Sequence, residues 1–158
     1  MTKEIKNFGP HLIIDGYGAD PKCLEDEKLM YSILDELPGL IGMHKIDKPK
    51  VYKFDQTEIA GASIFGFCYP QKNIFQKFFA WLNKGLNFKV VGSVLIVESH
   101  ISIHTYSKKD CIFIDIFSCK DFDIQKAIDF LGDKYKIEHM EIQLIKRGKK
   151  FPIYNLHE

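Results

Sequence analysis

The residues from Val94 to Tyr106 leave the chain few ways to fold. Val94-Leu95-Ile96-Val97 is aliphatic at every position and runs straight into Glu98-Ser99-His100. Beyond it, Ile101 and Ile103 alternate with Ser102 and His104, the two-residue period that sends one side of a strand into a core and the other out of it. The chain is therefore expected to be extended over 89–97 and again over 101–106, with Ser99 at the junction. Two serines, two histidines and an acid lie within this strand-like stretch, a polar density that needs a reason.

Three readings of it compete. The plainest is structural, since serine and threonine are ordinary in strands and a half-buried histidine finds a hydrogen-bond partner. A second is a metal site on His100 and His104, and geometry rejects it. Four residues of strand span about 13 Å, whereas two ligands of one zinc lie no more than about 4 Å apart. The third is a serine acting on its own backbone, because at a sharp strand junction a hydroxyl held over the preceding carbonyl can attack it.

Around this stretch the rest of the chain alternates strands and helices. His11-Leu12-Ile13-Ile14-Asp15-Gly16-Tyr17 reads as a first strand ending in a glycine-rich turn at 16–18. Asp20 is expected to cap a helix with Pro21 at its first position. Leu24, Leu29, Ile33, Leu34 and Leu37 give that helix one apolar stripe, until Pro38-Gly39 stops it. Extended pieces are expected at 40–46 and 51–54, and an apolar strand interrupted by Gly61 and Gly66 at 59–69. A second helix is expected at 73–86, with Phe75, Phe78, Phe79, Leu82 and Leu86 on one face. After a polar turn at 107–110, residues 111–118 are apolar nearly throughout, as in a central strand covered on both faces. A third helix follows, capped by Asp121 or Asp123. The last strand, 137–146, is expected to turn Met140, Ile142 and Leu144 inward and His139, Glu141 and Gln143 outward. The fold class expected is α+β, a two-layer sandwich of a mostly antiparallel sheet with helices on one face. The sheet's other face then needs a cover, and an identical protomer is the simplest one.

With 158 residues, 46% of them hydrophobic, one domain spanning 1–158 is expected. Lys and Arg (22) nearly balance Asp and Glu (21), a formal charge of +1, which argues against nucleic acid or an anionic membrane as partner. The N-terminus lacks the apolar run of a signal peptide, and no stretch reaches the ~20 apolar residues of a membrane span, so a cytosolic location is expected. Cys23, Cys68, Cys111 and Cys119 show no CxxC spacing and read as free thiols.

From Gly92 onward the chain resembles the prokaryotic S-adenosylmethionine decarboxylase proenzymes, small pyruvoyl-dependent enzymes. The matching residues are Leu95 to Thr105, with the string Glu98-Ser99-His100-x-Ser102-x-His104, and Ile114-Asp115-Ile116-Phe117-Ser118-Cys119. A weaker match lies at His11 to Pro21, and the closing helix and Arg147-Gly148 also fit.

The resemblance implies that Ser99 attacks the carbonyl of Glu98, that the resulting ester loses its α-proton, and that the chain parts into 1–98 and 99–158 with residue 99 converted to a pyruvoyl group. It implies that His104 is the base in this self-processing, and imidazole, with an unperturbed pKa of about 6.5, suits that task near neutral pH. The pyruvoyl ketone then condenses with the amine of a small-molecule substrate and takes up the electrons released with carbon dioxide. Cys119 is implied as proton donor and Tyr106 as a substrate-binding residue, standing where relatives often carry an aromatic that stacks on adenine. The product would be decarboxylated S-adenosylmethionine, the aminopropyl donor for spermidine, made by a homodimer of cleaved protomers with no metal.

Read without the resemblance, Cys119 is a small apolar residue, Glu98 a strand-end acid, and His11 and Asp15 cap or turn residues. Three features depart from the family pattern. Val91 stands where a processing-assisting serine is usual, with Ser93 two residues on and on the same face by alternation. Tyr106 replaces a larger indole, and the 55–87 segment is longer than the usual connection. Two alternatives stay open: the same machinery acting on arginine or ornithine, and a catalytically silent paralogue that regulates an active partner.

Overall fold

The computed structural model describes residues 8–55 and 88–149. Among these residues six strands form one sheet in the order β2-β3-β4-β5-β1-β6, and every neighbouring pair is antiparallel. They are β1 (Gly9–Tyr17), β2 (Lys50–Asp55), β3 (Phe88–Ile96), β4 (Ser99–Tyr106), β5 (Cys111–Ser118) and β6 (His139–Arg147). Helices α1 (Pro21–Leu24) and α2 (Glu27–Leu40) carry the chain from β1 to the far edge, and α3 (Ile124–Tyr135) crosses from β5 over β1 to β6. The α+β class with helices against one face of an antiparallel sheet is as expected. The strand and helix expected at 59–69 and 73–86 lie outside the described residues.

Burial follows strand alternation closely. Leu12, Ile14, Val90, Val94, Ile101, Ile103, Ile112, Ile114 and Ile116 are at most 1% exposed and meet Met30, Ile33, Leu34, Leu37 and Leu131 of the helices. Burying a side chain of this size is worth roughly 1.5–3 kcal/mol, so this interface holds the fold together. Gly92 lies in it because a Cβ there would come within 2.6 Å of Leu34 Cδ1 and Met30 Sδ. The intervening residues, among them His11, Asp15, Ser102, His104, Phe113, Asp115 and Phe117, point to the opposite face, which the described helices leave open.

Several local expectations are corrected. The single helix after Asp20 is two, because Asp26 makes a second cap: its carboxylate accepts the backbone N–H groups of Lys28 and Leu29 and restarts the helix. Pro38-Gly39 does not stop α2; Pro38 lies inside its last turn. The stop is Gly42, whose φ of 77° lets Met43 N–H reach Pro38 O (2.8 Å) and Gly42 N–H reach Gly39 O (3.2 Å). Residues 40–46 are consequently a helix end and a turn rather than a strand, and their only ladder pairing with the sheet is a bridge from Lys45 to Ile96. Of the two possible caps for α3, Asp123 serves, accepting from Lys126 N–H. Among the described residues β5 is covered on one face only, its Cys111, Phe113, Asp115 and Phe117 remaining half-buried. In β6, Ile142 and Leu144 do share the helix side, opposite Ile14 and Leu12, yet they are 45% and 48% exposed because β6 is the sheet's edge.

Candidate active site

β3 and β4 are joined by a two-residue turn, Val97-Glu98, with Ile96 and Ser99 paired across it. So tight a reversal favours positive φ near the turn, which glycine usually supplies. Here Ser99 takes a φ of 155°, a conformation that costs a side-chain-bearing residue on the order of 1–3 kcal/mol. The strain falls on the residue whose hydroxyl adjoins the Glu98–Ser99 peptide.

Both ends of Glu98 are held. Its carbonyl oxygen accepts the backbone N–H of Cys119 at 2.9 Å. Cys119 follows Ser118, the register partner of Ser99, so β5 brings this donor to the turn. Gly9 packs on the same backbone: a Cβ there would lie 1.9 Å from Ser118 O, so only glycine lets β1 begin this close. A donor fixed on that oxygen is suited to charge developing when a hydroxyl attacks the carbonyl carbon. The Glu98 side chain, only 9% exposed, lies with Oε1 3.0 Å from His44 Nδ1 and accepts His44 N–H on Oε2 at 3.2 Å. The His44 hydrogen bond holds the Glu98 carboxyl below its usual range, against burial, which pushes the other way.

The ring beside the Ser99 hydroxyl is that of His100, with Nδ1 3.1 Å from Oγ. It meets Phe117 edge-on at 6.0 Å between centroids. Phe117 also lies 5.6 Å from the His11 ring and has the Arg147 guanidinium 4.1 Å over its face. His11 Nε2 is 3.2 Å from Asp115 Oδ1, so the residues read as caps or turns join the open face instead. Cys119 is exposed and its thiol is free.

His104 and Tyr106 lie farther along β4. His104 is flanked in register by Val91 and Phe113. Burial, and after it the Lys89 ammonium, push the His104 pKa down, while Asp115 pulls the other way. Tyr106 Oη is hydrogen-bonded to Lys89 Nζ at 2.7 Å, and that ammonium lies 4.4 Å from the ring centroid. Ser93 is exposed on the open face, opposite Ser102.

The structure thus brings Glu98, Ser99 and Cys119 together and sets His104 and Tyr106 apart from them. Five residues of strand put His104 about 16 Å from Ser99. Two neighbours, His100 and His44, were not singled out for this site from sequence. His100 could have been, from its adjacency to Ser99. No local pattern marks His44, which lies in a turn 54 residues away from Glu98.

The profile of the S-adenosylmethionine decarboxylase family matches residues 10–68 and 73–148. The chain belongs to the S-adenosylmethionine decarboxylase family. The S-adenosylmethionine decarboxylase proenzyme of Pyrococcus horikoshii is 37% identical over 142 residues, covering 89% of this chain and 79% of the relative. That of Clostridium botulinum (strain Loch Maree / Type A3) is 32% identical over 146 residues, covering 92% and 98%. The crystal structure of the adenosylmethionine decarboxylase from Aquifex aeolicus VF5 shares the fold, with a TM-score of 0.62 at 21% identity over 90% of this chain and 92% of that one. Within 55–87 the family match omits only 69–72. Among the described residues no helix is long and apolar enough to cross a membrane.

Proposed function

We propose that the chain is a self-processing, pyruvoyl-dependent decarboxylase of S-adenosylmethionine, cut between Glu98 and Ser99 into chains 1–98 and 99–158. The observation that carries the reading is the geometry at that peptide: a strained Ser99 follows a carbonyl whose oxygen already accepts the Cys119 N–H at 2.9 Å. Attack of Oγ on the Glu98 carbonyl carbon passes charge to that oxygen, where the amide receives it. As the ester forms the Glu98 C–N bond breaks and frees the Ser99 amine. Loss of the Ser99 α-proton then expels the Glu98 carboxylate with the upstream chain and leaves a dehydroalanine, whose imine tautomer takes up water and releases ammonia to give the ketone.

A pyruvoyl group fits residue 99 because the hydroxyl and the peptide it must come from are adjacent there, with the leaving carboxylate's oxygen already bonded. When present, such a group supplies the ketone that takes up the substrate amine and the electrons released with carbon dioxide. Cys119, a free and exposed thiol whose backbone is bonded to Glu98, returns the proton to the α-carbon in this reading. Tyr106, fixed by Lys89, offers an aromatic surface to the substrate.

His104 is the base. Its lowered pKa keeps the imidazole neutral near pH 7, the form that accepts a proton. At about 16 Å along the strand it is beyond reach of Ser99 in its own chain. The reading therefore includes a homodimer in which a second copy covers the open face and each His104 serves the neighbour's Ser99.

The experiment is an intact-mass measurement of the purified chain, with carbon dioxide release compared across S-adenosylmethionine, arginine and ornithine. Two fragments divided after residue 98, and release from S-adenosylmethionine alone, are expected. An uncut chain would overturn the self-processing reading. No specific observation favours arginine or ornithine as substrate, or a silent regulatory paralogue, and the same measurement separates all three.

A further inference from the structure

We infer that His44 is a positioning residue for cleavage of the Glu98–Ser99 bond, an inference that rests on the self-processing reading. Residues 43–46 belong to no strand, yet they are stitched to the end of β3 and its turn at four points. Ile46 N–H donates to Leu95 O at 3.0 Å and Val97 N–H to His44 O at 2.8 Å. His44 N–H donates to Glu98 Oε2 at 3.2 Å, and His44 Nδ1 lies 3.0 Å from Oε1. Three of the four involve His44, and two of those end on the Glu98 carboxylate.

The segment that carries His44 is itself anchored. On one side the helix stop at Gly42 fixes Met43, which is 4% exposed and lies 3.6 Å from Ser118 Oγ through its sulfur. Lys120 Nζ adds a bond to Gly42 O at 3.2 Å. On the other side Lys45 is ion-paired with Asp35 of α2. His44 is therefore held from both sides and is able to hold something else.

What it holds is the residue that must be broken. For Ser99 Oγ to reach the Glu98 carbonyl carbon, that carbonyl must keep one orientation, and rotation within Glu98 would move it. Two tethers oppose the rotation: Cys119 N–H on the carbonyl oxygen and His44 on the carboxylate. With Nδ1 protonated His44 donates to Oε1, so both carboxylate oxygens are occupied. Held at both oxygens, Glu98 serves as a handle on its own peptide.

The test is a pulse-chase of the full chain in cell-free translation, read on denaturing gels. His44→Ala should slow appearance of the two fragments by about 10- to 100-fold, the size of loss that a misplacement of about 1 Å produces. His44→Asn puts an amide N–H where Nδ1 was and should recover most of the rate. His44→Gln puts its amide one bond farther out, where Nε2 was, and should stay slow. Each substitution is also made in the Ser99→Ala chain and melted, so that rate is read apart from stability. Should His44→Ala fail to fold, the Asn and Gln variants carry the comparison. Cleavage of His44→Ala at the wild-type rate overturns the inference, as does Asn no faster than Gln, or rates that simply follow melting temperature. If the wild-type chain itself stays whole, the self-processing reading falls and this one with it.

Discussion

The two faces of the sheet obey different rules. Toward the helices every second residue of β1, β3, β4 and β5 is apolar or small, and most are wholly buried. Across the same strands, one residue out of step, lie His11, Asp15, Ser102, His104, Tyr106 and Asp115, half-buried and spaced among Phe113 and Phe117. One face supplies stability and tolerates no charge. The other is polar enough to do chemistry and apolar enough to want a cover. The turn that carries Ser99 lies where these requirements meet, its backbone strained and its flanking acid drawn inward.

The sharpest break in this contrast is Ser99→Ala, expected to abolish cleavage altogether, leaving one full-length band on a denaturing gel. Next is a test of the open face as an interface between copies. Ser99→Ala and His104→Ala chains should each stay whole alone. Mixed, they should yield cleavage of the His104→Ala chain, because its serine then meets the other chain's histidine; no cleavage on mixing would refute the shared site. On the helix face, Leu34→Ala should cost about 2–5 kcal/mol of stability by urea unfolding, through the cavity it leaves against Gly92 and its neighbours.

A smaller effect concerns pH. The folded-state pKa of Glu98 is depressed by His44, so its contribution is present above the ordinary carboxylate pKa and lost as pH falls through the folded value. Melting temperatures of the uncleaved Ser99→Ala protein should therefore fall in acid. The same protein carrying Glu98→Gln should lose part of that dependence. The smallest effect is at Tyr135, fully buried with a hydroxyl that has no partner among the described residues and an ionisation pushed up by burial. Tyr135→Phe removes an unpaired polar group and should be neutral or stabilising by up to about 1 kcal/mol in the same unfolding assay.

What could be read ahead of the structure was whatever a local pattern encodes. The alternation at Ile101 and Ile103 placed β4, and Asp20-Pro21 marked a helix start to the residue. Asp26 was as visible as Asp20, but Leu24 and Leu29 continue one helical stripe through it, and periodicity hid the break. Gly42 is masked in the sequence by Pro38, the stronger breaker by type, although in a last turn Pro38 gives up only one N–H. At the site, Glu98, Ser99 and Cys119 were legible from a family string, whereas the hydrogen bonds between them depend on register between β3, β4 and β5. His44 depends on a turn packing against another turn, which no window of sequence contains.

The order of strands has one further consequence. Division after residue 98 would assign β1, β2 and β3 to one fragment and β4, β5 and β6 to the other, yet in space the fragments interleave. The β3–β4, β5–β1 and β1–β6 ladders would each join a strand of one piece to a strand of the other. Such a cut molecule would be braided: neither half could leave without dismantling the sheet, and the severed ends would stay beside each other with no covalent link to keep them there.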